Sequence, residues 1–167
     1  LLLTTGIVLG FVLISALTVL SYLSFRSVQD PVPDGSPVRV LDIESAHDFD
    51  PQGIDGNEMP REARFAIDGD ADTGWTTDTY YGSSEMGGLK DGVGLILDLG
   101  VAHEVHQVRV SFRGRPTSLS IRVSSATAAT LPKALADTRN TVTANDVGSD
   151  VAMVLGDPQF TRYVVVW

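Results

Sequence analysis

The sequence predicts a mainly β protein, an antiparallel β-sandwich preceded by one transmembrane α-helix. Residues 1–25 contain no Asp, Glu, Lys, Arg or His. Beyond residue 37, apolar and polar side chains alternate in short segments, and Gly, Pro, Asn or Asp separates most of these segments. A period of two directs the apolar side chains to one face of a sheet and the polar ones to water, which predicts half-buried strands.

The apolar start of the chain is long enough to cross a bilayer. At about 1.5 Å of rise per residue, a helix over Leu1–Phe25 reaches about 37 Å, against a hydrocarbon core of about 30 Å. Arg26 follows as a cation at headgroup level. A cleaved signal peptide has a shorter apolar stretch, of about 7 to 15 residues, and then a small-residue cleavage site. Neither feature is found, so residues 1–26 are predicted to form a transmembrane helix within the lipid bilayer.

Residues 27–37 are predicted to form a stiff, extended linker, because they contain three prolines and no apolar periodicity. The β domain is then expected over residues 38–167. The chain begins without Met inside apolar sequence, and its last predicted strand stops with no turn after it. We therefore expect a fragment of a longer protein, with the sandwich truncated at its C-terminal edge.

Six segments of the domain have the composition of strands, and turn residues lie between most of them. They are Val38–Ile43, Gly92–Leu99, Val105–Phe112, Leu119–Val123, Val151–Leu155 and Tyr163–Trp167. A short helix is a weaker expectation around Lys133–Asp137.

The composition excludes several classes of function. All 12 Lys and Arg and all 21 Asp and Glu lie beyond residue 25, so the predicted domain carries the full net charge of −9. Such a surface repels nucleic acid and anionic lipid headgroups. The absence of Cys excludes disulfides, thiolate zinc sites and cysteine nucleophiles. No nucleophile elbow, phosphate-binding loop or glycosidase acid pair is recognisable, so no catalytic residue is predicted and an enzyme is not expected.

An acidic turn and the strand after it carry a family resemblance. The turn reads Ala66-Ile-Asp-Gly-Asp-Ala-Asp-Thr-Gly-Trp75, and the strand reads Gly94-Leu-Ile-Leu-Asp-Leu-Gly100. Together they resemble the discoidin-like family, the coagulation factor 5/8 C-type and galactose-binding-like domains that include many carbohydrate-binding modules. The resemblance implies a jelly-roll sandwich over roughly residues 38–167, with Trp75 packed beneath the turn.

The same resemblance implies a structural calcium ion in the turn. The ligands would be the backbone carbonyl of Phe65, the side chain of Asp68, the carbonyl of Asp70, and the carbonyl and hydroxyl of Thr73. Calcium takes about six to eight oxygen ligands, and a tight turn containing Gly can direct carbonyls inward. The alternative is a solvated acidic turn in which Asp68 caps backbone amides.

A second acidic stretch, Asp48–Glu58, partly matches an EF-hand loop. Asp48, Asp50 and Gln52 occupy the first, third and fifth positions. Met59 stands at the twelfth position, where a bidentate Glu is needed, and no helices flank the loop. An EF-hand is therefore not expected. A looser cation site and a loop ordered by Asx turns are the two alternatives.

The loop over residues 76–90 contains two tyrosines among small polar residues. Aromatic faces together with hydroxyl and charged groups suit sugar recognition, because sugar rings offer apolar C–H faces and hydroxyl edges. Asp78, Tyr80, Tyr81 and Lys90 are therefore the candidate ligand contacts. The alternative is an ordinary long loop whose tyrosines pack on the rim of the sandwich.

The order of helix, proline-rich linker and domain carries a closer resemblance. Asp50–Gly53, Ala66–Trp75 and Gly87–Gly100 resemble segments near the C-terminus of actinobacterial MviN/MurJ-type lipid II flippases and of related transmembrane serine/threonine kinases. This implies a cell-membrane protein with a single span in this chain, Leu1 near the cytoplasm and the C-terminal domain extracellular.

Two functions follow from these observations. The first is a membrane-tethered, extracytoplasmic module that binds cell-wall glycan or a peptidoglycan precursor within a peptidoglycan-synthesis or signalling protein. The second is a protein-interaction or structural ectodomain without sugar affinity that docks on an envelope protein, for example as the sensor domain of a transmembrane kinase. The fold alone does not choose between them, since one fold hosts many kinds of ligand.

Overall fold

The computed structural model describes residues 39–83, 85–114 and 117–167. The predicted transmembrane helix over residues 1–26 and the linker over residues 27–37 lie outside these ranges. Among the described residues, no helix is long and apolar enough to cross a membrane. Leu41–Trp167 form one compact unit.

The unit is built from five strands and three short 3₁₀ helices. The strands are β1 (Ser45–Phe49), β2 (Gly94–Ser111), β3 (Thr117–Ser124), β4 (Thr138–Val147) and β5 (Asp150–Val166). The 3₁₀ helices span Ala63–Ala66, Met86–Gly88 and Leu135–Asp137. The strands form a sheet in the order β1-β2-β5-β3-β4, and every described strand pair is antiparallel. The predicted mainly antiparallel β fold is confirmed.

The two long strands, β2 and β5, pair along most of their length but not in one continuous register. The pairing runs from Leu95 opposite Val166 to Ser111 opposite Asp150, and it shifts between Asp98 and His103. Gly100 lies in this interruption with φ of +77°. An irregularity of this kind bends a strand and increases its twist.

The bend allows the long strands to pack against themselves. One hydrophobic cluster contains Met153 and Leu155 from the first half of β5 together with Val164 from its end, and Leu119 and Ile121 from β3. The two halves of the same strand therefore face each other across this core, as the two layers of a sandwich do. Burying one aliphatic side chain of this size contributes about 1.5 to 3 kcal/mol.

A second, smaller cluster lies on Phe49, Ile96, Tyr163 and Val165. The connection between β3 and β4 supplies Leu131 and Leu135 to cover it, and Trp167 packs at its side. Both faces of the central strands are therefore buried. This explains the nearly continuous apolar run at the start of β2, which has no polar face.

Several predicted element boundaries are wrong. Val38–Ile43 was expected to be a strand, yet among its described residues none is paired, and β1 begins only at Ser45. Ser45 lies opposite Asp98, so earlier residues would need partners beyond Asp98, where β2 is interrupted. The prediction of separate strands before and after Gly100 also fails, because both belong to β2.

The strands predicted over Val151–Leu155 and Tyr163–Trp167 are likewise parts of one strand, β5. β4 was not predicted at all, because it is an edge strand with polar residues on both faces. The short helix expected around Lys133–Asp137 is a single 3₁₀ turn, in which the Asp137 carboxylate caps the backbone N–H groups of Lys133 and Ala134.

Candidate functional site

The candidate site is formed by the long segment that connects β1 to β2. The segment leaves the sheet after Phe49 and returns to it at Gly94, and these two residues pair with each other. Trp167 lies at the same end of the sheet, with its ring 5.7 Å from that of Phe49 in an edge-on contact. The segment contains both acidic stretches and the tyrosine loop. We call residues 48–58, which include the last two residues of β1, the first loop, and residues 76–91 the second loop.

The side chain of Glu58 joins the two loops. It is completely buried, although Glu is rarely buried without partners. Its Oε1 accepts the backbone N–H of Asp78 at 2.7 Å. Its Oε2 accepts the hydroxyl of Tyr80 at 2.6 Å and the ammonium of Lys90 at 2.9 Å. The backbone N–H of Glu58 in turn donates to Asp48 Oδ2 at 2.6 Å. A single first-loop residue therefore holds three points of the second loop.

Lys90 compensates two buried carboxylates. Its Nζ lies 2.6 Å from Asp50 Oδ2 and 2.9 Å from Glu58 Oε2, and only 9% of its side chain is exposed. The ammonium also lies 5.1 Å from the centre of the Tyr80 ring, within cation–π range. Burial lowers the pKa of Lys90, but the hydrogen bonds with Asp50, Tyr80 and Glu58 raise it by more, so the pKa lies above its usual value.

Glu58 stays ionised for a related reason. Burial raises the pKa of Glu58, but the hydrogen bonds from Tyr80, Lys90 and the Asp78 N–H together outweigh it, so the pKa lies below its usual value of 4.5. Burial first, and then the hydrogen bond to Glu58, raise the pKa of Tyr80. The phenol therefore stays protonated as a donor, while Glu58 is ionised and Lys90 is protonated at neutral pH.

Gln52 and Asp91 form a second tie between the loops. Gln52 Nε2 donates to Asp91 Oδ2 at 2.9 Å, and Gln52 Oε1 accepts the Asp91 backbone N–H at 2.7 Å. Beside them, an added Cβ at Gly53 would overlap the Asp50 carboxylate. Asp50 is buried, and its Oδ1 has no hydrogen-bond partner among the described residues. The ion pair between Lys90 and Asp50 Oδ2 therefore compensates for the burial of this side chain.

The first loop is ordered by protein groups. The Asx-turn alternative is seen at Asp55, whose Oδ1 accepts the backbone N–H of Asn57 at 3.2 Å. Asp48, Asp50 and Gln52, which suggested an EF-hand, bind Glu58, Lys90 and Asp91. Within residues 39–83, 85–114 and 117–167, no group of three or more His, Asp or Glu side chains is placed to hold a metal ion.

The structure brings three of the four predicted ligand contacts together at Glu58. Asp78 is held through its backbone, and Tyr80 and Lys90 are held through their side chains. The Tyr80 hydroxyl and the Lys90 ammonium bind Glu58 within the protein, so these two side chains position the second loop, whereas Asp78 itself is exposed. Tyr81 is different, because it is 85% exposed.

Tyr81 lies near a second exposed residue, Leu89, which is 78% exposed. Gly87 stands between them with φ of +65°. A Cβ at Gly87 would lie 2.9 Å from the Tyr81 carbonyl oxygen, which is too close, and 3.8 Å from Leu89 Cδ1, which is an ordinary contact. Tyr81 and Leu89 form an exposed rim on a loop whose underside is fixed by Glu58.

The predicted calcium turn gathers oxygen atoms. The Thr73 hydroxyl lies 2.8 Å from Asp68 Oδ2 and 3.1 Å from the Asp70 carbonyl oxygen. Asp68 Oδ1 also accepts the Asp70 backbone N–H at 2.9 Å, and this bond, followed by that from Thr73, lowers the pKa of Asp68. Phe65 belongs to the preceding 3₁₀ helix.

The oxygen spacing in the turn fits a calcium ion. Calcium–oxygen distances of about 2.3 to 2.6 Å bring neighbouring ligands to about 3 Å from one another. The Thr73 hydroxyl oxygen has this spacing from Asp68 Oδ2 and from the Asp70 carbonyl oxygen. The same hydrogen bonds also describe the alternative of a solvated turn in which Asp68 caps an amide, so the donor set fits both.

Trp75 connects the turn to the loops. It is half-buried, and its indole N–H donates to the Glu58 carbonyl at 2.8 Å. On the other side of the turn, Arg113 donates to the Asp72 carbonyl and carboxylate, each at 3.0 Å. The turn is therefore fastened to the first loop and to the end of β2.

The importance of Glu58 was not predicted from sequence. A glutamate at the end of an acidic, glycine-containing loop looks solvent-exposed, and nothing in its local pattern indicates burial. One signal was available: Lys90 is the single Lys or Arg between Arg64 and Arg109. A lone cation in an acidic region is a reasonable partner for a buried carboxylate.

No family model matches the chain. Solved structures do match. Chitosan-binding module 2 from a chitosanase/glucanase of Paenibacillus sp. IK-5, in complex with chitotriose, has a TM-score of 0.53 and 17% identity, covering 75% of this chain and 82% of that one. Chitosan-binding module 1 of the same enzyme has a TM-score of 0.52 and 18% identity, covering 75% and 81%.

A third match is the CBM32 module of AlyQ in complex with 4,5-unsaturated mannuronic acid. It has a TM-score of 0.54 and 16% identity, covering 77% of this chain and 84% of that one. All three matched structures are carbohydrate-binding or chitosan-binding modules. The chain thus shares the β fold of these chitosan-binding modules and of the CBM32 module of AlyQ.

Proposed function

We propose that this chain is a glycan-binding module that recognises a cell-wall glycan or a peptidoglycan precursor through the second loop. The observation that carries the proposal is Tyr81, an exposed aromatic residue on a loop that Glu58 and Lys90 hold from below. Sugar rings stack their C–H faces on such aromatic side chains. A fixed loop also loses little conformational entropy on binding, which favours affinity.

Two further observations support a glycan ligand. The fold is one that the matched structures use to hold chitotriose and an unsaturated mannuronic acid. The net charge of −9 disfavours polyanions such as nucleic acid. This charge favours the neutral sugar rings of such a glycan as the point of contact.

The proposal includes a cellular setting. Residues 1–26 tether the module to the cell membrane, the linker over residues 27–37 spaces it from the bilayer, and the module faces the outside. The supporting observations are the uncharged segment Leu1–Phe25 and the resemblance to the C-terminal region of lipid II flippase-type proteins and transmembrane kinases. In such a protein the module would bring the membrane component to its glycan substrate.

A binding titration tests the proposal. The full chain is kept in micelles of a detergent without a sugar headgroup and titrated with a disaccharide muropeptide and with chitotriose. We expect Tyr81→Ala to weaken binding by roughly tenfold, because one aromatic stacking contact is lost. Val101→Ala removes an exposed apolar side chain outside the two loops and should leave the affinity unchanged. No binding of either probe by the unaltered chain would refute the proposal.

A protein partner is the second candidate, and exposed aliphatic side chains favour it. Ile54 in the first loop is fully exposed, and Leu89 in the second loop is largely exposed. Aliphatic side chains in water are typical of protein contacts more than of sugar contacts. If Ile54→Ser abolished capture of an envelope protein while no glycan bound the chain, this second function would replace the first.

We further propose that the turn holds a structural calcium ion, with Asp68, Asp70 and Thr73 as ligands and Phe65 contributing its carbonyl. The ion would replace the hydrogen bonds that now hold the turn and would stiffen the connection to Trp75. The oxygen spacing supports this assignment.

A further inference from the structure

We propose a second glycan-binding site in a groove at the opposite end of the sheet, where a sugar ring stacks on Phe160 and bonds to Asp137 and Arg139. The groove has a volume of about 450 Å³. This lies within the usual range of about 300 to 1,000 Å³ for small-molecule sites. The class of ligand rests on the proposed function, whereas the groove itself does not involve the two loops.

The groove is formed where three strands meet. Its lining residues come from the end of β3 and the residues after it, from the 3₁₀ helix Leu135–Asp137, from the start of β4 and from β5. They are Val123, Ser124, Ser125, Ala126, Ala136, Asp137, Thr138, Arg139 and Phe160. The small side chains Ala126 and Ala136 leave room between the strand ends. A ring can therefore enter without displacing a large residue.

Phe160 supplies the apolar face. It is 60% exposed, while its neighbours Gln159 and Thr161 are buried. In a strand, alternate side chains point to opposite faces, so burial of the two neighbours directs Phe160 to the outside. Its backbone is fixed by pairing with Glu104 of β2. A rigidly held, exposed aromatic ring beside a groove is the arrangement that stacks a sugar.

Asp137 and Arg139 supply an acceptor and a donor on one wall. Asp137 Oδ2 accepts hydrogen bonds from the backbone N–H groups of Lys133 and Ala134. The bond from Lys133, followed by that from Ala134, lowers the pKa of Asp137, so this carboxylate is an ionised acceptor. Arg139 donates to Gln159. A guanidinium has five N–H donors, so this bond leaves donors for a ligand. Sugar hydroxyls both donate and accept, and they match such a pair.

The groove is remote from the second loop. Phe49, Gly92 and Trp167 mark the end of the sheet that carries the loops. β3 runs away from that end, since Ile121 pairs with Val166 while Val123 pairs with Val164, and the groove opens beyond Ser124. Two sites at opposite ends can engage two glycan strands at once, which raises the apparent affinity for a polymer.

A titration of the full chain in the same micelles tests the groove. The two probes are again chitotriose and a disaccharide muropeptide, and the background is Tyr81→Ala, which removes the proposed loop contact. We expect the Tyr81→Ala variant to keep residual binding. Adding Phe160→Ala should weaken this residual binding at least tenfold, and adding Val154→Ala should leave it unchanged. Val154 is an exposed apolar residue of β5 that does not line the groove, so it is the matched control.

The outcomes separate the two proposals. If Tyr81→Ala alone abolishes binding, or if Phe160→Ala leaves the residual binding unchanged, the groove is refuted and the loop site stands. If Tyr81→Ala has no effect while Phe160→Ala removes all binding, the loop site is refuted and the groove stands. If the unaltered chain binds neither probe, both fail. Arg139→Ala is the second variant, and circular dichroism confirms that each variant is folded.

Discussion

Replacing Glu58 with Gln tests the buried network that holds the second loop. The carboxylate accepts three hydrogen bonds, from the Asp78 N–H, the Tyr80 hydroxyl and the Lys90 ammonium. A carboxamide offers one acceptor oxygen and places an NH₂ donor at the other position. If the oxygen stays with Tyr80 and Lys90, the NH₂ group faces the N–H of Asp78, and two donors then point at each other.

The cost follows from these contacts. Loss of the bond from Asp78 to a charged acceptor costs about 2 kcal/mol, and the other two bonds weaken by about 1 kcal/mol each when their acceptor becomes neutral. We therefore expect a loss of about 4 kcal/mol in the free energy of unfolding. For a domain of this size the melting temperature should fall by about 10 to 15 °C.

Glu62→Gln is the matched control. Glu62 undergoes the same chemical change, but its carboxylate accepts one side-chain bond, from the exposed Thr76 hydroxyl at 2.8 Å. Its expected cost is below about 1 kcal/mol. Denaturant unfolding followed by tryptophan fluorescence measures both variants, and Trp75 reports locally because it donates to the Glu58 carbonyl. Equal losses for the two variants would refute the account of Glu58 as the centre of the site.

Three further predictions concern single positions. Gly53→Ala should cost roughly 2 kcal/mol or more in denaturant unfolding, because its Cβ would overlap the Asp50 carboxylate, whereas Gly74→Ala, with nothing within 4 Å, should be nearly neutral. Arg162 donates to both carboxylate oxygens of Asp98, and these hydrogen bonds, against the effect of burial, lower the pKa of Asp98 below the usual 3.8. Asp98 therefore stabilises the fold above about pH 4, and its contribution is lost as the pH falls through its folded pKa. Asp98→Asn should flatten the acid limb of a stability-versus-pH curve, and an unchanged limb would contradict this. Millimolar calcium should raise the melting temperature of the unaltered chain by a few degrees and that of Asp68→Asn by less, and no shift in calorimetry would remove the proposed ion.

The fold class was accessible from sequence, but strand continuity was not. Alternation predicted the buried face of β3, and the apolar run before Gly100 predicted a strand there. The pattern breaks at Gly100 and near Gly156, so one strand was divided into two. Pairing between β2 and β5 holds these strands together, and such long-range pairing leaves no mark on the local sequence.

The candidate site was predictable in position but not in roles. The sequence identified the tyrosine loop because its composition is unusual for a connection. It did not separate Tyr80, whose hydroxyl binds Glu58, from Tyr81, which is exposed. Adjacent residues in a loop have no fixed periodicity, so their directions depend on tertiary contacts. The groove beside Phe160 was missed for the same reason, since its walls come from three distant segments.

Nitrogen–proton correlation spectra of the full chain during a chitotriose titration test the central claim most directly. We expect saturable shifts of the amide signals in residues 76–91, with the largest changes near Tyr81, and a separate set of shifts around Asp137 and Phe160. Glu58, although buried, should respond only weakly, because it supports the loop without touching the ligand. Unchanged spectra in the second loop at saturating probe, or shifts confined to other surfaces, would contradict the assignment of this loop as the glycan contact.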